Sequence, residues 1–328
     1  MPRVFVYEHV TAVGLGRDPG SPEHSLFVEG SAMRAAITAD FAAVPGVEVL
    51  SFPDGLPESE LLPTFRELAG RADWSFVLAP ETGGELERLT RAVLAAGGLP
   101  LGSSPNAIAL TTDKLWLAEH WERAEVPTPW TWDASSPLPQ RKEVGGEWLN
   151  PLVLKPRDGA GSESTYLVRT PVEYAAVLRQ SAGPMIAQAH VEGRPASVAF
   201  LVGLGGITPL LPTYQRLSAD GRFRYEGGEL PVEPHHAEQA IELGRQAVAC
   251  VPGLCGYVGV DLVLGERPVA IEINPRLTTS YVGLRVAAGR NLAGLMLEAC
   301  SGRPAVPAWR PGRVRWAANG RILGEPAA

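Results

Sequence analysis

Late in the chain, the run VAIEINPR (residues 269–276) sets Glu272 and Asn274 at alternate positions of an otherwise apolar strand. Successive strand side chains point to opposite faces, so the carboxylate and the amide emerge together, with Ala270 on their face and Ile271 and Ile273 on the other. Eleven residues before Glu272, Asp261 stands alone among the apolar neighbours of YVGVDLVLG. The short turn containing GER would pair these strands antiparallel and bring Asp261 beside Glu272. Oxygen-only donors of this kind suit Mg²⁺ or Mn²⁺, which complete their shells with water and substrate phosphates, and nothing in the set favours zinc. Asp261, Glu272 and Asn274 are therefore candidate metal ligands. The plain alternative is that Asp261 ends a strand and Asn274 makes an Asx turn before Pro275. Burying two neighbouring carboxylates without a cation is costly, which weighs against it.

Upstream, VLKPRDGAGSEST places Lys155 at the end of an apolar strand and follows it with Gly159, Gly161 and Ser162 in a loop of small residues. Backbone N–H groups of such a loop can cover phosphates while the lysine acts as a point charge. The same composition also makes an ordinary hairpin turn. The spacing is not that of a Walker A loop, and no strand leads into G-x-G-x-x-G, so P-loop and dinucleotide-binding readings lose support. Lys114, early in its helix, is a surface residue by default. His235 and His236 follow Pro234 at a helix start, where capping and solvation explain them. Cys250, Cys255 and Cys300 lack metal-ligand spacing and cannot all pair within one chain, so they read as buried thiols rather than a disulfide scaffold.

The elements that must position these residues alternate in the first third: strand RVFVY, a helix over 25–44, strand VEVLSF, a helix over 58–70, strand WSFVLA and a helix to about residue 96. Leu26, Met33, Ile37, Phe41 and Val44 recur at helical steps, and strand–helix alternation implies a parallel sheet covered by helices. LPLGSSPNAI reads as a short strand and turn closing this α/β domain near residue 110. A helix follows from Thr111, with Thr111 or Thr112 as N-cap, then a Pro-rich segment and a surface loop from Ser135 to Asn150. Beyond it, PLVLKP, TYLV and MIAQAHV read as strands. ASVAFLVG, ITPLLPTYQRL, CGYVGVDLVLG and PVAIEINP follow as longer ones, with helices near 235–250 and 278–301.

A chain of 328 residues exceeds one compact domain, so clefts between domains are expected. Hydrophobic residues make up 45% and charged residues 20%, an ordinary globular balance. No apolar run approaches the roughly 18 residues of a membrane helix. A net charge of -7 disfavours a nucleic-acid surface. The first residues read as a strand rather than a signal peptide, which implies a cytoplasmic protein.

TTDKLWLAEHWERAEVPTP, LVLKPRDGAGSES, IAQAHVEGRPASVAF, GYVGVDLVLG and AIEINPRLTTS stand in the order and approximate spacing of the ATP-grasp carboxylate–amine ligases, which this chain resembles over about 111–290. The resemblance implies an ATP-grasp fold preceded by a parallel-sheet α/β domain. The units would be 1–110, a central lid over 111–186 and a C-terminal subdomain over 187–328. It implies ATP and Mg²⁺ as cofactors, with Lys114 and Lys155 on the phosphates and the loop from Asp158 to Ser164 folding over them. Gln188 would meet the adenine edge, and the backbone of His190 and Val191 would form the hinge. Asp261, Glu272 and Asn274 would hold the metal, and Arg276, with Lys155, would face the transferred phosphoryl group. Pro195 stands where many members carry a ribose-binding carboxylate, so the resemblance implies that Glu192 or a backbone group takes that role. Within the superfamily, YEHVTAVGLG, EGSAMRAAITADF, LAPETGGELERLT and INPRLTTSYVGLR resemble the ligases that join tyramine to glutamate in methanofuran biosynthesis. That likeness implies the γ-carboxylate of L-glutamate as donor and tyramine or tyrosine as amine, with Glu29 and Glu81 as substrate contacts. The alternatives are another amino-acid ligase, of the D-Ala–D-Ala type, and a nucleotide-binding module without chemistry. Small molecules would be the partners, and a homodimer is compatible with the family.

Overall fold

The computed structural model describes residues 1–136, 151–159 and 164–324. Most of the expected 135–150 surface loop, along with Gly161 and Ser162, lies outside the described residues.

Strands Glu48–Ser51, Arg3–Glu8 and Trp74–Leu78 form a parallel sheet with Arg3–Glu8 in the middle. Parallel neighbours need crossovers, and helices His24–Ala42 and Glu58–Arg71 supply them. Both sheet faces are apolar, so both are covered. Val4 and Val6 pack with Met33, Ile37 and Phe41. Phe5 and Tyr7 pack on the opposite face, where the Phe65 ring stands edge-on to theirs at centroid distances of 5.4 and 4.8 Å.

After the helix Glu85–Ala95 the chain departs from expectation. LPLGSSPNAI contributes only a parallel bridge from Pro100 to Ser75, and Pro105 then opens a helix, Pro105–Thr112, capped by the Ser104 hydroxyl. The next helix, Lys114–Arg123, begins beyond Thr111 and Thr112. Asp113 takes the cap, its Oδ1 accepting from the N–H groups of Leu115 and Trp116 at 3.1 Å each.

Four antiparallel strands follow, ordered Thr131–Asp133, Met185–Ala189, Leu152–Pro156 and Tyr166–Val168, with helix Pro171–Gln180 packed on them through Tyr174. The larger sheet runs Val269–Asn274, Gly256–Leu264, Arg194–Gly203, Thr213–Leu217, Tyr225–Leu230, Val314–Ala317 and Ile322–Gly324, and Gly206–Pro209 pairs back onto Arg194–Gly203. ITPLLPTYQRL is thus two strands, separated around Pro212, which has no N–H to give a ladder. Helix Pro234–Ala249 covers one face over Val198, Phe200, Val258 and Val260. The other face, with Leu201 and Tyr257, is covered by helices Ser280–Ala287 and Leu292–Cys300. The expected single helix over 278–301 breaks because Asn291 caps a new one, its Oδ1 accepting from Gly294 N–H at 3.0 Å.

A bulge changes one detail of consequence. Asp261 pairs with Glu272 but Leu262 pairs with Ala270, leaving Ile271 as the extra residue. The faces expected for Ala270 and Ile271 are therefore exchanged: Ala270 joins Ile273 in the core, and Ile271 lines a cleft with Glu272 and Asn274.

Gly244 lets helix Pro234–Ala249 approach the sheet. A Cβ there would stand 2.5 Å from Val198 Cγ1 and 2.8 Å from the Phe200 ring. Gly244→Ala gains about 1 kcal/mol of helix propensity but incurs about 1–3 kcal/mol of overpacking. A lower denaturation midpoint is expected; an unchanged or higher one would show that the helix can withdraw without loss.

Candidate functional site

The four-stranded and the larger sheet face each other across a cavity of about 1370 Å³. Its floor is the antiparallel hairpin of Gly256–Leu264 and Val269–Asn274, in which Asp261 and Glu272 are register partners. Asp261 Oδ2 accepts from Asn274 Nδ2 at 3.2 Å and Oδ1 from Gln215 Nε2 at 2.9 Å, so four side chains from three strands converge. Burial, and then the Glu272 carboxylate, push Asp261 up to about 7. Burial would raise Glu272, but Lys114, Lys155, its hydrogen bond with Asp261 and Arg276 together hold it below its ordinary value. Two carboxylates side by side, both lining the cavity, fit a divalent cation, whose charge would let both ionise.

The opposite wall supplies positive charge. Lys155, at the end of Leu152–Pro156, is only 7% exposed, and burial draws its ammonium down to about 8. Lys114 is the first residue of its helix and donates to Gly159 O at 2.6 Å. Asp113, besides capping that helix, pairs with Arg157 at 2.8 Å, fixing the start of the glycine loop beside Lys114. Gln188, His190, Val191 and Glu192 line the same cavity from the strand end after Met185–Ala189, and Pro195 borders it.

Arg276, just beyond the Glu272 strand, also lines the cavity. Its guanidinium stays protonated against the cost of burial because Glu81 and Glu29 face it. The two glutamates expected as substrate contacts divide here. Glu29, on helix His24–Ala42, lines the cavity, accepts from Thr279 Oγ1, and is raised by burial. Glu81 is 5% exposed and stands behind Arg276, accepting from its Nε at 2.9 Å. It does not border the cavity, since the guanidinium it pairs with lies between.

Sequence reading passed over several lining residues. Gln215 shares a strand face with Thr213 and Leu217, an alternation visible in TYQRL but not distinguishable from any half-polar strand. The turn Ser218–Arg224 reaches across to the four-stranded sheet. Leu167 N–H donates to Gly221 O at 2.8 Å, and the Arg222 guanidinium lies 3.8 Å over the Tyr166 ring. Among the described residues, no helix is long and apolar enough to cross a membrane.

The sequence pattern of the ATP-grasp domain matches residues 111–280, just over half of the chain, and that of the pre ATP-grasp 3 domain matches residues 35–108. A tyramine–L-glutamate ligase from Methanocaldococcus fervens is 29% identical over 70% of the chain, a match spanning 66% of the relative's length, just under two thirds. A D-alanine–D-alanine ligase from a Synechococcus is 28% identical, covering 70% of this chain and 72% of the relative. Among solved structures, an ATP-grasp superfamily protein from Archaeoglobus fulgidus superposes with a TM-score of 0.68 at 28% identity, covering 96% of this chain and 92% of that one. With that domain pattern covering just over half of the chain, including the four-stranded sheet and the carboxylate hairpin, this chain belongs to the ATP-grasp family.

Proposed function

We propose that the protein is an ATP-dependent carboxylate–amine ligase. The observation that carries this reading is the pairing of Asp261 with Glu272 opposite Lys155 and Lys114 in one cavity. Asp261, Glu272 and Asn274 would hold one or two Mg²⁺ or Mn²⁺ ions, which supply Lewis-acid polarisation of the ATP phosphates. The substrate carboxylate attacks the γ-phosphorus, the bond to the β–γ bridging oxygen breaks, and ADP leaves an acyl phosphate. Lys155 and Lys114 set positive charge beside the oxygens where negative charge gathers, and low polarity around Lys155 strengthens that effect. Arg276, aimed by Glu81, faces the transferred group. The amine nitrogen then attacks the acyl carbon, phosphate leaves, and the nitrogen loses its proton.

Gly159, whose carbonyl accepts from Lys114, would stand at the phosphates, and the expected contacts from Gly161 and Ser162 lie outside the described residues. Gln188, the His190–Val191 backbone and Glu192 take the base and ribose. Residues 1–110, 111–186 and 187–328 would serve as the pre-ATP-grasp α/β domain, the central lid and the C-terminal ATP-grasp subdomain. The donor is L-glutamate through its γ-carboxylate and the amine tyramine or tyrosine, in a methanofuran-type pathway in the cytoplasm. The 29% identity to the tyramine–glutamate ligase supports this choice. Glu29, buried beside Thr279 and lining the cavity, would contact the amine or the amino acid.

The test is ADP and phosphate release over glutamate, alanine and aspartate crossed with tyramine, tyrosine and other amines. Release that needs glutamate and an aromatic amine is expected. Release with alanine alone would shift the donor to the D-Ala–D-Ala type, and ATP binding without turnover under every combination would leave a non-catalytic module. Glu272→Gln is expected to lower kcat about 100-fold or more, as loss of a transition-state charge contact does. Near-normal turnover would remove the metal assignment. Lys155→Ala should raise the ATP KM roughly ten- to hundredfold, the worth of a charged hydrogen bond. Glu81→Ala should lower kcat far more than it raises the ATP KM, with Glu81→Gln largely restoring it. Equal effects on both constants would mean that Glu81 does not act through Arg276.

A further inference from the structure

Two of the three cysteines meet outside the cavity. Cys255 immediately precedes the strand Gly256–Leu264, and Cys300 ends the helix Leu292–Cys300. Their Sγ atoms lie 3.4 Å apart, and neither is in a disulfide. The backbone holds Cys255 in place: its N–H donates to Ser103 Oγ at 3.2 Å, and that hydroxyl donates back to Cys255 O at 3.3 Å. Cys300 is 6% exposed, whereas Cys255 is partly buried and is the more exposed of the two. A disulfide needs its sulfurs at about 2.05 Å, so closure asks for little more than an ångström of approach.

We propose that Cys255 and Cys300 are an oxidisable dithiol, a modification site that hydrogen peroxide closes to a disulfide. The Cys255 thiolate attacks one peroxide oxygen. An S–O bond forms, the O–O bond breaks, and the departing hydroxide leaves as water with the thiol proton. The Cys300 sulfur then attacks the Cys255 sulfur; S–S forms, S–O breaks, and the second hydroxide takes the Cys300 proton. The two sulfurs together lose two electrons, and one peroxide becomes two waters. The hydrogen bond between the thiols draws Cys255 down to about 7 and holds Cys300 well above its ordinary value, which makes Cys255 the nucleophile. Cys250 has no such neighbour, its Sγ donating to Ala247 O at 3.4 Å.

The closed loop, from 255 to 300, encloses Asp261, Glu272, Asn274 and Arg276. A bridge there ties the whole carboxylate hairpin to the core and removes loop entropy from the unfolded chain. The inference stands apart from the ligase reading, because no catalytic turnover enters its test.

The purified full-length protein is treated with a modest excess of hydrogen peroxide, alkylated without reductant, and mapped by mass spectrometry. A cross-linked Cys255–Cys300 peptide lighter by two hydrogens is expected, with Cys250 still alkylated, reversal by dithiothreitol, and a thermal midpoint raised by several degrees. In Cys300→Ser the same treatment should leave a Cys255 sulfenic acid that dimedone traps; if that variant does not fold, the wild-type map decides alone. Both thiols still alkylatable, Cys255 over-oxidised without a cross-link, or a bridge only between separate chains would overturn the proposal.

Discussion

Two carboxylates placed side by side in a hairpin govern this molecule's architecture. Asp261 and Glu272 face each other across an antiparallel pair, where opposed side chains approach most closely. Their repulsion and desolvation are unfavourable in isolation. The surroundings compensate with Gln215 and Asn274 as donors and with Lys114 and Lys155 brought in from the other wall of the cavity. Each contribution comes from a different element, so the two sheets must be correctly placed before the carboxylates are tolerable.

The lysines carry the converse strain. Lys155 is buried on its strand, where desolvation draws its ammonium down further than the Glu272 and Asp261 charges restore it. Lys114 reaches the cavity because Asp113 starts the helix one residue earlier and simultaneously grips Arg157. One aspartate thereby sets a helix terminus, the direction of a lysine and the root of the glycine loop.

The N-terminal unit does more than precede the site. Glu81 backs Arg276, Glu29 meets Thr279, and Asp40 receives the Tyr281 hydroxyl at 2.6 Å and the Arg285 guanidinium. Three acidic side chains from that unit thus engage the segment from Arg276 to Arg285. The residues following the strand Val269–Asn274 are consequently oriented from outside the sheet that carries them.

Much of the floor was legible from sequence because its signals are local. A polar residue at every second position of an apolar strand, with a short turn between two such strands, prescribes adjacency through backbone geometry alone. The parallel N-terminal sheet was legible because strands and helices alternate along that part of the chain, and a helix between two strands lets them run in the same direction. Where local signals competed, tertiary structure decided. Asp113 displaced Thr111 and Thr112 as a cap, Asn291 broke a helix that apolar spacing would have continued, and a bulge moved Ile271 to the cavity and Ala270 to the core.

The distant pairings had no sequence signal at all. Glu81 and Glu29 are both acidic residues next to apolar segments, yet one backs an arginine and the other faces the cavity. Cys255 and Cys300 are separated by 44 residues and touch only because a helix packs across the sheet. Sequence by itself determined which polar side chains interrupt the apolar strands and that Glu272 and Asn274 share a face, since those follow from side-chain type and the two-residue repeat. Only the tertiary structure decided which charges meet, because an ion pair between remote elements depends on how whole layers pack.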